Sequence, residues 1–151
     1  MLIDNHTFSI LKRTIQKDGW LELPAYGNSM FPFIQHGNLC RFIPCKPSQL
    51  KKGDVILFYS QTSQLIAHRF VSVKKIDNQL FFLLKGDTNL GYDPLIREEY
   101  IVGKLASVQK KQLKINTDHL LARFWGKMIL TFPILSGMLR KQINRKFKLQ
   151  F

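Results

Sequence analysis

The sequence has little cysteine and no long apolar run near its first residue. Its two cysteines, Cys40 and Cys45, are too few for a zinc site built from paired Cys-x-x-Cys motifs. We interpret both as small apolar residues within strands. Residues 1–26 contain no stretch of about 20 apolar residues, so we expect neither a signal peptide nor an N-terminal membrane anchor.

Features typical of metal and phosphate chemistry are missing as well. The histidines are widely scattered, and none has a second ligand at helical spacing: His6, His36, His68 and His119. The sequence also lacks a glycine-rich loop of the kind that surrounds phosphate groups. We therefore expect no metal and no cofactor.

Acidic residues are scarce, with 10 Asp and Glu against 23 Lys and Arg, and none follows Asp118. The formal net charge of +13 indicates a polyanionic partner, which could be nucleic acid, an anionic membrane surface or an acidic substrate. The last part of the chain places its basic residues beside apolar ones: Arg123, Lys127, Arg140, Lys141, Arg145, Lys146 and Lys148.

The apolar run at residues 128–139 has 12 residues, fewer than the roughly 20 that a membrane-spanning helix needs. Residues 120–148 are instead predicted to form an interfacial segment attracted to anionic lipid. The alternative is a helix packed on the domain with a solvated basic end. Nucleic acid is not expected as a partner.

The length of 151 residues fits one compact domain. An apolar stripe predicts a short helix over residues 2–16, ended by Asp18-Gly19. Residues 20–115 contain closely spaced strand patterns, including 55–59, 65–76 and 80–84, with a turn at residues 77–79. This spacing predicts a mainly β fold, an antiparallel β domain with a short N-terminal helix.

We divide the chain into a β domain at residues 1–116 and a C-terminal tail at residues 117–151. The C-terminal tail has a helical pattern. Asp118 is the predicted N-cap of a helix that runs through Lys127, and Pro133 and Gly137 are predicted to break the helical pattern.

Three sequence features together point to nucleophilic catalysis. Gly27-Asn28-Ser29 predicts a tight loop that presents a hydroxyl group, His68 lies in a predicted strand, and Asp87 and Asp93 follow the next strand. A serine needs a base to take its proton, and a third group improves the base by fixing its tautomer. The alternatives are ordinary turns at the Gly and Asp positions and a packed histidine in the strand.

Five sequence blocks occur in one order between Gly27 and Lys104: Gly-Asn-Ser-Met-x-Pro, Gly-Asp-Val-Ile, His-Arg-x-Val, Lys-Gly-Asp-x-Asn and Val-Gly-Lys. This order resembles the signal peptidase I superfamily of serine peptidases. Bacterial signal peptidases and the self-cleaving repressors of that superfamily use a lysine base, whereas the archaeal and endoplasmic-reticulum type has a histidine. His68 followed by Arg69 makes this chain similar to the histidine branch.

The resemblance implies a serine endopeptidase in which Ser29 is the nucleophile and His68 the general base. It also implies that Asp93, six residues after Asp87, orients His68, while Asp87 and Arg69 support the site. Many relatives carry a hydroxyl two residues before the nucleophile, where this chain has Gly27. We therefore expect the second oxyanion donor elsewhere, with the Asn28 side chain as the candidate.

Most signal peptidases have a transmembrane helix before the serine motif, which residues 1–26 do not provide. We therefore expect a peripheral membrane protein whose catalytic domain, residues 1–116, faces the cytoplasm. Its expected substrate is a dedicated leader or precursor peptide. One alternative is a non-catalytic binding module of the same fold, held at a membrane by its basic tail. Another is a self-cleaving DNA-binding repressor, for which residues 1–26 are too short to hold a helix-turn-helix domain.

Overall fold

The computed structural model describes residues 1–148, so residues 149–151 of the C-terminal tail lie outside the described residues. The chain is mainly β, with an antiparallel curled sheet, a short N-terminal helix and C-terminal helices. The predicted fold class is therefore confirmed. The helices are α1 (Asn5–Asp18), α2 (Leu120–Thr131) and α3 (Pro133–Lys148). The strands are β1 (Leu21–Pro24), β2 (Leu39–Ile43), β3 (Val55–Tyr59), β4 (Leu65–Ile76), β5 (Gln79–Lys85), β6 (Ile96–Arg97), β7 (Ile101–Lys110) and β8 (Leu113–Asn116).

The eight strands form one sheet in the order β1-β2-β7-β3-β4-β5-β6, and β8 pairs with β7. The first half of β7 pairs with β3, and its second half pairs with β8, while β2 runs along its other edge. Irregular register occurs within the β2–β7, β3–β7 and β4–β5 pairs. Such irregularities bend strands, which is consistent with the curl of the sheet.

Strand β3 is buried along its whole length, which explains its unbroken apolar sequence. Val55 and Leu57 belong to a larger core that also includes Ile15 of α1. Ile56 and Phe58 point to the opposite face, where they join a second core with Phe82. Successive side chains of a strand point to opposite faces, so β3 connects the two cores.

Helix α1 begins later than the predicted 2–16, because Asp4 caps it from an extended conformation. The Asp4 carboxylate accepts a hydrogen bond from the Thr7 N–H at 2.7 Å, and hydrogen bonding from Thr7 lowers the pKa of Asp4. Leu2 instead forms a β-bridge with Gln64. The predicted end is confirmed, since Gly19 is the C-cap with a φ of 79°.

The β4–β5 hairpin turns on two residues, Asp77 and Asn78, both with positive φ. The predicted turn at 77–79 is one residue too long, because Gln79 already pairs with Ile76. Two consecutive left-handed residues are typical of the turn whose twist matches a hairpin.

The C-terminal tail differs from the prediction at two residues. The N-cap of α2 is His119 rather than Asp118, because the His119 ring nitrogen accepts from the Leu121 N–H at 3.4 Å. Gly137 does not end a helix but lies inside α3, where a single glycine lowers helix stability without interrupting the helix. The break at Pro133 is confirmed, since α2 ends at Thr131 and α3 begins at the proline. Within residues 1–148, no helix has the length and apolar character needed to cross a membrane.

Candidate active site

Ser29 lies in the loop of residues 25–38 between β1 and β2, which we call the serine loop. Gly27 has a φ of 79°, a conformation that favours glycine and turns the chain immediately before the serine. Met30, Phe33 and Ile34 are buried in the larger core just after it. The loop therefore presents a half-buried serine on a firmly packed base.

Two residues from distant strands and loops hold the backbone of this loop. The Thr88 N–H donates to the Ser29 carbonyl at 2.9 Å, and the Thr88 hydroxyl reaches the same oxygen at 3.3 Å. Lys110 Nζ of β7 donates to the Pro32 carbonyl at 2.7 Å, and burial lowers the pKa of Lys110. These bonds fix the position of Ser29 relative to the sheet.

The structure brings Ser29, His68 and Asp93 together. His68 lies in β4 opposite Ile56 and is 4% exposed. Its Nε2 is 2.9 Å from Ser29 Oγ, and its Nδ1 is 2.6 Å from Asp93 Oδ2. The Asp93 N–H donates to the Leu84 carbonyl at 2.9 Å, which ties the acid to β5. When Asp93 accepts from Nδ1–H, Nε2 is left free to accept the serine proton.

Sequence reasoning missed two residues beside the His68 ring. A Cβ placed on Gly86 would lie 2.9 Å from His68 Nε2 and 2.7 Å from Asn89 Nδ2. Gly86 therefore lets the backbone approach both the base and the Asn89 amide. The glycine of Lys-Gly-Asp is the sequence signal for such a close approach.

Asp87 lies apart from the Ser29–His68–Asp93 series, in a buried ion pair with Arg69. Arg69 Nε donates to Asp87 Oδ1 at 2.6 Å, Arg69 Nη2 donates to Oδ2 at 3.0 Å, and both side chains are at most 2% exposed. Trp125 of α2 donates its indole N–H to the same Oδ2 at 3.1 Å. Arg69 Nη1 donates to the Gly53 carbonyl at 2.9 Å, so the guanidinium also has a partner outside Asp87. Asp87 thus connects the loop after β5 to Arg69 of β4 and to Trp125 of α2.

The C-terminal tail also contacts the end of β5 and the serine loop. Lys85, which is 6% exposed, donates to the buried Ser136 hydroxyl of α3 at 3.3 Å. Lys146 Nζ lies 5.0 Å from the centroid of the Phe31 ring, close to the serine loop. The sequence predicted helices here but gave no sign of which loops they would contact.

An apolar cleft of about 320 Å³ opens beside the Ser29–His68 pair. Ser29 and His68 line it together with apolar side chains from four strands and the serine loop: Leu23, Met30, Ile34, Cys40, Phe42, Leu57, Leu65 and Ala67. Cys40 and Cys45 are free, and burial raises the pKa of each thiol to about 11. Cys40 is a strand residue as predicted, whereas Cys45 follows the end of β2.

The Asn28 side chain is half-buried next to the nucleophile. Its backbone carbonyl accepts from the Phe31 N–H at 3.1 Å, which stabilises the turn. Among residues 1–148, neither the Asn28 carboxamide nor the Ser29 N–H has an intramolecular hydrogen-bond partner. Both donors remain free to bind an oxygen of a ligand at this position.

No family model matches the chain. A search of curated proteins finds no match either. The resemblance to signal peptidase I depends on the order of the sequence blocks.

Proposed function

We propose that this protein is a serine endopeptidase of the signal-peptidase type, which cleaves a leader or precursor peptide by a Ser29–His68–Asp93 mechanism. The observation that carries the proposal is the unbroken series of contacts from Ser29 Oγ to His68 and on to Asp93, at 2.9 and 2.6 Å. Both distances lie within the hydrogen-bond reach expected of a nucleophile, its base and its orienting group. A module that only binds peptides does not require this arrangement.

The chemistry starts when Ser29 Oγ–H gives its proton to His68 Nε2 and the oxygen attacks the scissile carbonyl. Asp93 accepts from His68 Nδ1–H and stabilises the imidazolium that forms. His68 then protonates the leaving amine, which releases the first product and leaves an acyl-enzyme. Water, deprotonated by His68, hydrolyses the ester and restores Ser29.

The negative charge on the tetrahedral intermediate needs donors near Ser29. We assign this role to the Ser29 N–H, with the Asn28 carboxamide as the second donor. Preorganised donors of this kind stabilise the transition state by about 3–4 kcal/mol each. Gly27, at the position where many members of the signal peptidase I superfamily carry a hydroxyl, supplies no side-chain donor of its own.

The cleft indicates the kind of peptide that fits. Its volume of about 320 Å³ is near the lower limit for ligand pockets, and its walls are mostly apolar. Strand β1 lies at one edge of the sheet, and Leu23, Pro24 and Ala25 line the cleft. An extended peptide added along this edge would place small apolar side chains in the cleft and its carbonyl beside Ser29.

The test is labelling by a fluorophosphonate probe, which reacts with activated serines, followed by peptide mapping. We expect the wild type to be labelled at Ser29 and the Ser29→Ala variant to remain unlabelled and folded. Ser48→Ala, an exposed serine on a short 3-10 turn, is the matched control and should be labelled like the wild type. If the wild type stays unlabelled but still binds peptides, the protein is a binding module and the proposed peptidase function is wrong.

A further inference from the structure

Helix α2 is apolar on two opposite faces. Its inner face is buried through Ala122, Gly126 and Ile129. Leu120, Leu121 and Phe124 form what we call the outer face, and they are 82%, 72% and 62% exposed. These three side chains lie within an arc of about 100° around the helix axis. Clustered exposed apolar side chains of this kind mark an interaction surface.

Cations border the outer face on one side. Arg123 and Lys127 follow it around the helix, and both line a small cavity together with Lys51 and Lys52. The acid in this cavity, Asp54, already accepts from the Lys51 N–H at 2.9 Å and lies 3.7 Å from Lys104 Nζ. We call these four cations the first basic flank.

Cations also border the outer face on its other side. Trp125 lies one turn after Leu121, and beyond it a groove between α2 and α3 is lined by Met138, Lys141 and Arg145. Lys141 and Arg145 form the second basic flank. No acidic residue follows Asp118 in the sequence, so neither α2 nor α3 carries an acidic side chain among these cations.

We propose that the outer face of α2 docks on a membrane surface containing anionic lipid. The apolar centre enters the boundary between headgroups and acyl chains, and the two basic flanks meet lipid phosphates on either side. A nucleic acid would require the cations at the centre of the surface, where this helix has leucine and phenylalanine. This inference goes beyond the proposed function, because it holds whether or not Ser29 reacts.

The experiment measures sedimentation with vesicles of phosphatidylcholine alone or mixed with phosphatidylglycerol at about 7:3. We expect the full chain to bind the mixed vesicles more tightly. Arg123→Gln with Lys127→Gln should weaken that binding by about 30-fold, since each cation contributes about a fivefold gain in affinity. Leu121→Ser with Phe124→Ser should weaken it by about tenfold or more, because the apolar insertion is lost.

Matched controls carry the same changes at exposed positions on the sheet. Lys74→Gln with Lys75→Gln, and separately Leu113→Ser, should bind mixed vesicles like the wild type. Equal binding to both vesicle types, or full binding by the Leu121→Ser, Phe124→Ser variant, would overturn the proposal. So would light scattering that shows a dimer of the wild type dissociated by that variant, because a second copy would then cover the outer face.

Discussion

Replacement of Asp87 by alanine should destabilise the protein far more than the loss of an exposed ion pair. The carboxylate is fully buried and accepts from Arg69 at 2.6 and 3.0 Å and from Trp125 at 3.1 Å. Asp87→Ala leaves the 2% exposed guanidinium without its counter-ion, although Gly53 still accepts from it. The buried charge, rather than the lost hydrogen bonds alone, determines the size of the effect.

The magnitude follows from burial. Breaking a buried pair by removing one partner costs about 3–5 kcal/mol. The matched control is Glu22→Ala, because Glu22 forms a 2.8 Å contact with Arg41 in which the two side chains are 31% and 39% exposed. Pairs exposed to this degree contribute about 0–1 kcal/mol. The buried pair should therefore exceed the exposed one several-fold in free energy of unfolding.

Urea denaturation monitored by tryptophan fluorescence measures both variants. With a slope of about 2 kcal/mol per molar urea, Asp87→Ala should lower the midpoint by about 1.5–2.5 M, and Glu22→Ala by less than about 0.5 M. Equal shifts in the two variants would refute the reasoning, because burial would then not control the cost. Asp87→Ala with Trp125→Phe in a double-mutant cycle would isolate the indole contribution, because alanine has no acceptor for the indole N–H.

Three further predictions concern the site itself. Asp93→Asn should fold normally but lower kcat for any cleaved peptide by on the order of 10³–10⁴-fold, because an amide no longer fixes the His68 tautomer. A kcat within tenfold of the wild-type value would remove Asp93 from the mechanism. Gly86→Ala should lower kcat, since its Cβ would displace His68 or Asn89, and an unchanged rate of Ser29 labelling by the fluorophosphonate would contradict this. Burial raises the pKa of the Cys40 thiol to about 11, so at neutral pH this thiol should resist iodoacetamide in the folded protein. The Cys40→Ala variant should keep its activity. Rapid alkylation with loss of activity would instead make Cys40 a reactive group of the cleft.

Much of the sheet could be predicted from the sequence because strand patterns are local. The run at 55–59 and the segment 65–76 appear in the structure with the predicted bounds, since an unbroken apolar run and a period of two fit a buried or half-buried strand. Helix ends were less predictable. Asp118 and His119 are adjacent possible caps, and in the structure the His119 ring accepts the hydrogen bond from the Leu121 N–H.

The site could be predicted in part. Ser29, His68 and Asp93 are far apart in the chain. The order of the sequence blocks pointed to Ser29 and His68, and the distance of six residues from Asp87 pointed to Asp93. The contacts of Thr88, Asn89 and Trp125 depend on how loops and helices meet in space, which local patterns do not encode. Trp125 is one aromatic among many, and its hydrogen bond to Asp87 required the packing of α2 on the sheet.

The hydrogen bond from Trp125 to Asp87 has a consequence for where this protein can be divided. A cut after residue 116 looks natural in the sequence, yet it would take away the indole that binds Asp87 and the hydroxyl that binds Lys85. Asp87 is adjacent to Thr88, which holds the Ser29 backbone. Expression fragments, fusions and chimeras should therefore retain α2 and α3, because the helices that follow the sheet are part of the support of the serine loop.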